Sequence, residues 1–154
     1  MLVKKIMTKD VINFKPEDSL ATVAKTFIEE KISAGPVVGE DNRVVGIISE
    51  SDLMGVLEYH EDLGSELLTL VPGYGGRWSF QRSFEEVDEW LQRVEEGKVK
   101  DEMTKKVFTV NPEDDVAKIE EAMVLRKVNQ VPVVDEEGKL VGIVARADLI
   151  RARS

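Results

Sequence analysis

Apolar and polar residues alternate in an order that predicts a strand followed by a helix in the first third of the chain. Residues 11–14 form a short apolar run that ends before Pro16, which is typical of a strand. Apolar residues then recur at helical spacing over residues 20–28, and Asp18 or Ser19 can cap the start of that helix. The apolar stripe that we expect to be buried consists of Leu20, Val23, Ala24, Phe27 and Ile28.

A hairpin and a second helix complete this unit. The run Pro36-Val37-Val38 begins a strand, residues 40–43 form an acidic turn, and residues 44–48 form the returning strand. A second helix begins near Ser51. The chain order of the unit is therefore β-α-β-β-α.

The same unit occurs twice. Residues 3–57 match residues 99–153 at a constant offset of 96, without a gap and with identity at about 20 of the 55 positions. Three strands do not cover both faces of such a unit, so we expect the two copies to pack together as one compact, pseudo-twofold module of the α/β (α+β) class. The second copy predicts a strand near 107–110, a helix near 115–128, hairpin strands near 131–135 and 139–144, and a last helix from Arg146.

The segment between the copies has no repeat partner. We therefore divide the chain into repeat 1 (1–57), a helical insert (58–98) and repeat 2 (99–154). Ser83 and Glu86 form a capping box, and Gly97 is placed to end the helix that follows it. The insert is either a packed crossover connection, a ligand lid or an oligomer contact.

Composition limits the classes of function. The chain has 154 residues, 42% of them hydrophobic and 33% charged, with a formal net charge of −9 and no cysteine. This favours a cytoplasmic protein without disulfides, and no apolar run reaches the 18 residues of a membrane span. The N-terminal residues enter the first repeat at once, so we expect no signal peptide. Binding to nucleic acid is disfavoured, because the net charge leaves only the arginines near the C-terminus as a basic patch.

The repeated motifs resemble a known family. They are Met7-Thr8-Lys9 with Met103-Thr104-Lys105, Pro36-Val37-Val38 with Pro132-Val133-Val134, and Val45-Gly46-Ile47 before Asp52-Leu53 with Val141-Gly142-Ile143 before Asp148-Leu149. In this order they resemble a tandem pair of CBS domains, named after the regulatory region of cystathionine beta-synthase. The resemblance implies a disc-like module that often dimerises, whose clefts bind AMP, ADP, ATP or S-adenosylmethionine, and which regulates and does not catalyse.

The resemblance also implies a ligand site where the last strand of each copy meets its last helix. In copy 1, Ser49 and the backbone N–H groups at the helix start can meet a phosphate, and Asp52 can accept hydrogen bonds from ribose hydroxyls. The alternative is purely structural: Ser49 or Ser51 caps the helix, and Asp52 interacts with its positive end.

The second copy departs from this pattern. Ala145 replaces the serine, whereas Asp148 keeps the ribose role open. Arg146 adds a cation that either binds a phosphate or pairs with surface carboxylates. We therefore expect the site with Ser49 and Asp52 to bind a nucleotide better.

Further positions match those that line the adenine ring in the family. Most such valines are core residues in any fold, and the polar pair Asn129 and Gln130 is also suited to helix capping or loop hydrogen bonds. The complete set of predicted nucleotide-binding residues is Thr8, Lys9, Val11, Ser33, Ala34, Pro36, Ile48, Ser49, Ser51, Asp52, Thr104, Lys105, Val107, Asn129, Gln130, Pro132, Arg146 and Asp148.

The resemblance therefore implies an adenine-nucleotide sensor, a regulatory homodimer that reports ligand state to a partner protein. No cofactor is required, and magnesium enters only with ATP. The alternatives are an interaction module with vestigial clefts and, less favoured, a nucleic-acid-binding protein. An enzyme or a metal site is disfavoured, because His60 is the one histidine and cysteine is absent.

Overall fold

The computed structural model describes residues 1–53 and 96–153. Most of the predicted insert, including His60 and the capping box at Ser83, lies outside these residues. Residues 50–53 are also helical, as predicted from Ser51. The elements with defined bounds are a 3₁₀ helix (Val3–Lys5), α1 (Leu20–Glu30), β1 (Ala34–Val38), β2 (Val44–Ser49), α2 (Val99–Glu102), α3 (Ala117–Leu125), β3 (Gln130–Val134), β4 (Leu140–Ala145) and α4 (Arg146–Ala152).

The first long helix begins and ends as its sequence predicts. Ser19 is the N-cap and accepts a hydrogen bond from the Thr22 N–H at 3.1 Å. Lys31 ends α1 in a left-handed conformation at φ 55°, and its N–H donates to the Phe27 carbonyl. The prediction that Ile28 belongs to the buried stripe is wrong, because its side chain is 50% exposed. The buried stripe is narrower than predicted and consists of Leu20, Val23 and Phe27.

The two hairpins are confirmed. Strands β1 and β2 form one two-stranded sheet, and β3 and β4 form another. The pairing of β3 with β4 is antiparallel and shifts register between Val133 and Val134. Asn42 in the first turn and Gly138 in the second both have positive φ, at 61° and 82°. These two residues are 96 positions apart, so the backbone of the turns repeats with the sequence.

The short strands predicted at residues 11–14 and 107–110 are wrong as extended elements. Phe14 and Val110 each take part in an isolated bridge, and the residues before them have no regular structure. Val110 donates to the Pro132 carbonyl at 3.2 Å and accepts from the Val134 N–H at 2.8 Å. The backbone pairing with β3 does not continue after Val110, because Pro112 has no N–H to donate and the chain turns there.

The chain divides into two compact units that do not follow the repeats. Unit 1 consists of Met1–Asn13, Gly35–Ile47 and Thr104–Ser154, and unit 2 consists of Phe14–Ala34 and Ile48–Met103. The division into 1–57, 58–98 and 99–154 therefore stays a prediction from the repeat pattern.

Unit 1 has a core of aliphatic side chains beneath the second hairpin. Val3 from the N-terminal 3₁₀ helix belongs to this core, although it is the third residue of the chain. Its N–H donates to the Asp114 carbonyl at 2.9 Å, which ties the N-terminus to the loop before α3. The buried members of the cluster are Val3, Val110, Val116, Ile119, Met123, Val131, Val133 and Val144.

Unit 2 joins the start of α1 to residues 97–100. The Leu20 N–H donates to the Gly97 carbonyl at 3.0 Å, and the Val99 N–H donates to the Asp18 carbonyl at 2.9 Å. Glu17 pairs with Lys98 and Lys100 on the surface, and their hydrogen bonds and positive charge lower the pKa of Glu17 to about 2. The segment that leads into repeat 2 is thus hydrogen-bonded to repeat 1.

Candidate functional site

In repeat 1, Ser49 and Asp52 are joined at the point where β2 passes into the following helix. The Asp52 Oδ2 accepts hydrogen bonds from the Ser49 N–H at 2.9 Å and from the Ser49 Oγ at 3.2 Å. The Ser49 and Ser51 hydroxyls lie 2.8 Å apart. The Asp52 carboxylate therefore accepts the N–H at the start of its own helix, as in a capping box, and this hydrogen bond fixes its position. The structural alternative assigned the cap to a serine hydroxyl instead.

Repeat 2 builds the same cap around Asp148. The Asp148 Oδ2 accepts the Ala145 N–H at 2.7 Å, which reproduces the bond from Ser49 to Asp52 without the hydroxyl. The Asp148 Oδ1 accepts a hydrogen bond from the Arg151 guanidinium. Asp148 is buried, whereas Arg146 at the start of α4 is exposed.

The two loops predicted to contact adenine lie beside these caps. The Glu50 N–H donates to the Ser33 carbonyl at 2.9 Å, and the Arg146 N–H donates to the Asn129 carbonyl at 3.3 Å. Each repeat thus brings the residue before its hairpin to the residue that begins its last helix. In both repeats, the structure brings the predicted adenine and ribose positions together.

The Met-Thr-Lys segments cross between the repeats. Thr8 of repeat 1 pairs with Ile143 in β4 through two backbone hydrogen bonds of 2.9 and 3.0 Å. Thr104 of repeat 2 pairs with Ile47 in β2 through two bonds of 2.9 Å. Each of these predicted adenine-lining segments therefore pairs, through backbone hydrogen bonds, with the last strand of the other repeat. Sequence analysis missed this exchange, because a constant offset does not specify which copy a segment joins.

The remaining predicted residues differ in exposure. The threonines and lysines of the Met-Thr-Lys segments, together with Ser33, Ser51 and Asn129, are exposed and accessible to a ligand. Buried members are better suited to form the wall of a site than to donate hydrogen bonds. They are Pro36, Ile48 and Pro132, with Val11, Val107, Ala34 and Gln130 partly buried.

Gln130 presents a buried polar atom beside the second cap. Its Oε1 atom is buried, and within the described residues it has no hydrogen-bond partner. Gln130 lies opposite Ala145 in the β3–β4 register, next to the Asp148 cap. A buried amide oxygen without a partner is costly, so a ligand that donates an N–H here would be stabilised.

The charges around the two caps have opposite signs. Burial raises the pKa of Glu50. Burial also raises the pKa of Glu102, and the negative charges of Asp101 and Asp52 raise it further. Repeat 2 has Arg146 at the position of Glu50. The residue that begins the helix is therefore acidic in repeat 1 and basic in repeat 2, and the expectation that the site with Ser49 and Asp52 binds a nucleotide better stays a prediction.

A groove lies on the outer face of α3 and α4. It has a volume of about 420 Å³, and the exposed side chains of Val124 (76%) and Ile150 (68%) form part of it. Arg146 lines this groove, so the structure does not assign its guanidinium to the predicted ligand site. The complete lining is Glu120, Met123, Val124, Lys127, Arg146, Leu149, Ile150 and Arg153.

Across residues 1–53 and 96–153, no group of three or more His, Cys, Asp or Glu side chains is placed to hold a metal ion. No helix in this part of the chain is both long and apolar enough to cross a bilayer.

Comparison with known proteins adds a family and a fold. The family model for the CBS domain matches residues 3–59 and 99–154. The chain is 38% identical over 153 residues to protein MJ1426 of Methanocaldococcus jannaschii, covering 99% of this chain and 90% of that protein. It spans less than two thirds of several other curated relatives.

Two solved structures share the fold at lower identity. CBSX2 of Arabidopsis thaliana in complex with AMP superimposes with a TM-score of 0.71 at 23% identity, covering 99% of this chain and 95% of that one. The CBS domain pair of protein MJ0100, in complex with 5′-methylthioadenosine and S-adenosylmethionine, gives a TM-score of 0.72 at 24% identity, with both chains covered fully.

Proposed function

The chain belongs to the CBS domain family, and from this premise we propose that it is a regulatory module that binds an adenosine-containing ligand. The observation that carries the proposal is the repeated cap. In each repeat a carboxylate, Asp52 or Asp148, is fixed at a helix start beside the loop that precedes the hairpin. A carboxylate held in place loses little freedom when it accepts the two hydroxyls of a ribose.

The polar atoms in repeat 2 complement an adenine. The Gln130 Oε1, which has no partner among the described residues, is an acceptor for an exocyclic amino group. CBSX2 binds AMP, and MJ0100 binds 5′-methylthioadenosine and S-adenosylmethionine, so adenosine is the part that these ligands share. We propose the same class for this chain, with magnesium only as a companion of ATP.

The crossed segments suggest how a ligand acts. Thr8 comes from repeat 1 but pairs with β4 of repeat 2, so a ligand against this strand contacts both repeats. A ligand that binds one arrangement of these segments more tightly shifts the population toward it. A partner protein then responds to the favoured state. This coupling requires no reacting group in the chain, in keeping with a regulator and not an enzyme.

The first experiment is thermal unfolding against a ligand panel. We expect AMP, ADP, ATP with and without magnesium, 5′-methylthioadenosine or S-adenosylmethionine to raise the Tm. A ligand at 100 times its Kd adds about 2.7 kcal/mol, which shifts the Tm of a chain of this size by several degrees. GTP and short RNA are the controls. A panel in which no adenosine compound raises the Tm, followed by calorimetry without heat of binding, rejects the proposal.

We also propose that the chain is a homodimer that uses the α3–α4 groove. Val124 and Ile150 present a joined apolar surface that a second copy would remove from water. Replacing Ile150 by glutamate places a charge at the centre of this surface and should give a monomer in analytical ultracentrifugation. Ile12 is a matched control, because it is also exposed but lies away from the groove. If Ile150→Glu sediments like the unmodified chain, the groove is not the dimer contact.

One observation favours a second candidate function. Asp148 is buried and already bonded to Arg151, which is compatible with an interaction module whose second cleft is vestigial. The panel separates the two only where both clefts are vestigial, because such a module shows no ligand shift; a shift that is lost in Asp52→Ala and kept in Asp148→Ala identifies a vestigial second cleft alone.

A further inference from the structure

The carboxylate of Asp148, one of the two predicted ribose ligands, is enclosed by hydrogen bonds. Its side chain is 7% exposed, and both of its oxygens accept hydrogen bonds. The Ala145 N–H on Oδ2 is part of the backbone and cannot leave without breaking the helix start. The Arg151 guanidinium on Oδ1 belongs to a long side chain that is 74% exposed, so it can rotate into water.

We propose that Arg151 is a latch on the second ligand site. Bound to Asp148, it blocks the approach of ribose hydroxyls and compensates the negative charge that would attract them. A ligand at this site must first displace Arg151, and its apparent affinity is reduced by the stability of the Arg151–Asp148 pair. This inference rests on the proposed function and specifies how the two sites differ.

The repeat provides an internal comparison. At an offset of 96, the residue equivalent to Arg151 is Gly55, which has no side chain to reach a carboxylate. The cap itself is conserved in geometry, since Asp52 and Asp148 each accept the N–H three residues before them. The arginine is therefore not needed to build this helix start, and its presence in one copy alone makes the two sites unequal.

The neighbouring arginines do not share this role. Arg153 pairs with Glu120 on α3 and not with Asp148. Arg146 is exposed at the start of α4 and lines the outer groove. Arg153 is thus a matched control, because it lies on the same helix end and its replacement removes the same charge.

The test uses adenosine, which has no phosphate and so does not respond to the loss of a positive charge at long range. Calorimetric titrations are made in an Asp52→Ala background, which isolates the second site. Arg151→Met keeps much of the alkyl chain and should raise the adenosine affinity about twofold to fivefold, the range for a partly exposed ion pair. Arg151→Lys should give an intermediate affinity, and Arg153→Met should leave it unchanged.

The outcomes separate the latch from the proposed function. If Arg151→Met leaves the adenosine affinity unchanged or lowers it, while the chain with Asp52 intact binds adenosine, the latch is wrong and the sensor stands. If Arg151→Met lowers the affinity for AMP and leaves that for adenosine unchanged, Arg151 contacts phosphate, and the latch is also wrong. If no variant binds adenosine, the proposed function and the latch both fail. If Arg151 only stabilised the fold, its replacement would not tighten the binding of adenosine.

Discussion

Replacing Val3 by aspartate is expected to lower the free energy of unfolding by about 4 kcal/mol or more. Val3 is fully buried in the unit 1 core, where it packs with the aliphatic cluster of α3, β3 and β4. An unpaired carboxylate in such a place costs about 4 kcal/mol or more. A domain has only about 5–15 kcal/mol of stability in total. Urea unfolding followed by far-UV circular dichroism measures the loss.

Two controls separate burial from charge. Val3→Ala removes two methyl groups without adding a charge, and should cost about 1–3 kcal/mol. Val45→Asp makes the same chemical change at an exposed valine and should cost less than about 1 kcal/mol. If Val3→Asp is as stable as Val45→Asp, the N-terminal segment is not part of the core. This matters for function, because Val3 also anchors the segment that delivers Thr8 to β4.

The hairpins and the long helix could be predicted because their signals are local. A cap at Ser19, a left-handed stop at Lys31 and turn residues between apolar runs each depend on a few neighbouring residues. The strands predicted at 11–14 and 107–110 failed for the opposite reason. In each run only the last residue, Phe14 or Val110, is buried, and burial of a single side chain does not require a continuous strand partner.

The importance of the N-terminus could not be predicted from the sequence. Nothing local distinguishes the buried Val3 from Met1, which is exposed, or Leu2, which is partly buried. The repeat identifies Val3 with Val99, and both are fully buried. The two residues lie in different units, however, and the crossing of the segments is set by tertiary packing.

Only part of the candidate site could be predicted. The positions of Ser49, Asp52 and Asp148 follow from the repeated motif, and their caps confirm that each lies at a helix start. The Arg151 contact was missed, because a cation three residues after an acidic residue on a helix is common and carries no signal of function. The opposite charges of Glu50 and Arg146 were visible in the sequence, but the burial that raises the pKa of Glu50 was not.

Replacing Asp52 by alanine is expected to lower the affinity of repeat 1 for an adenosine ligand by about tenfold to a hundredfold. Hydrogen bonds to a charged group contribute about 1.5–3 kcal/mol, which corresponds to that range. The substitution also removes the cap on the Ser49 N–H, which should cost about 1 kcal/mol of stability. Calorimetric titration with AMP and with 5′-methylthioadenosine measures the affinity, and urea unfolding measures the stability.

Asp18 provides the control that assigns the loss to the ligand. Its Oδ2 accepts the Lys15 N–H at 2.8 Å, which is the same contact to a backbone N–H three residues earlier, made in a turn outside the predicted site. Asp18→Ala should therefore lose a similar stability and keep its ligand affinity. Should Asp52→Ala and Asp18→Ala bind equally well, the carboxylate of Asp52 serves the helix alone. Ribose recognition in this chain would then depend on Asp148, and Arg151→Met would be the variant in which binding is strongest.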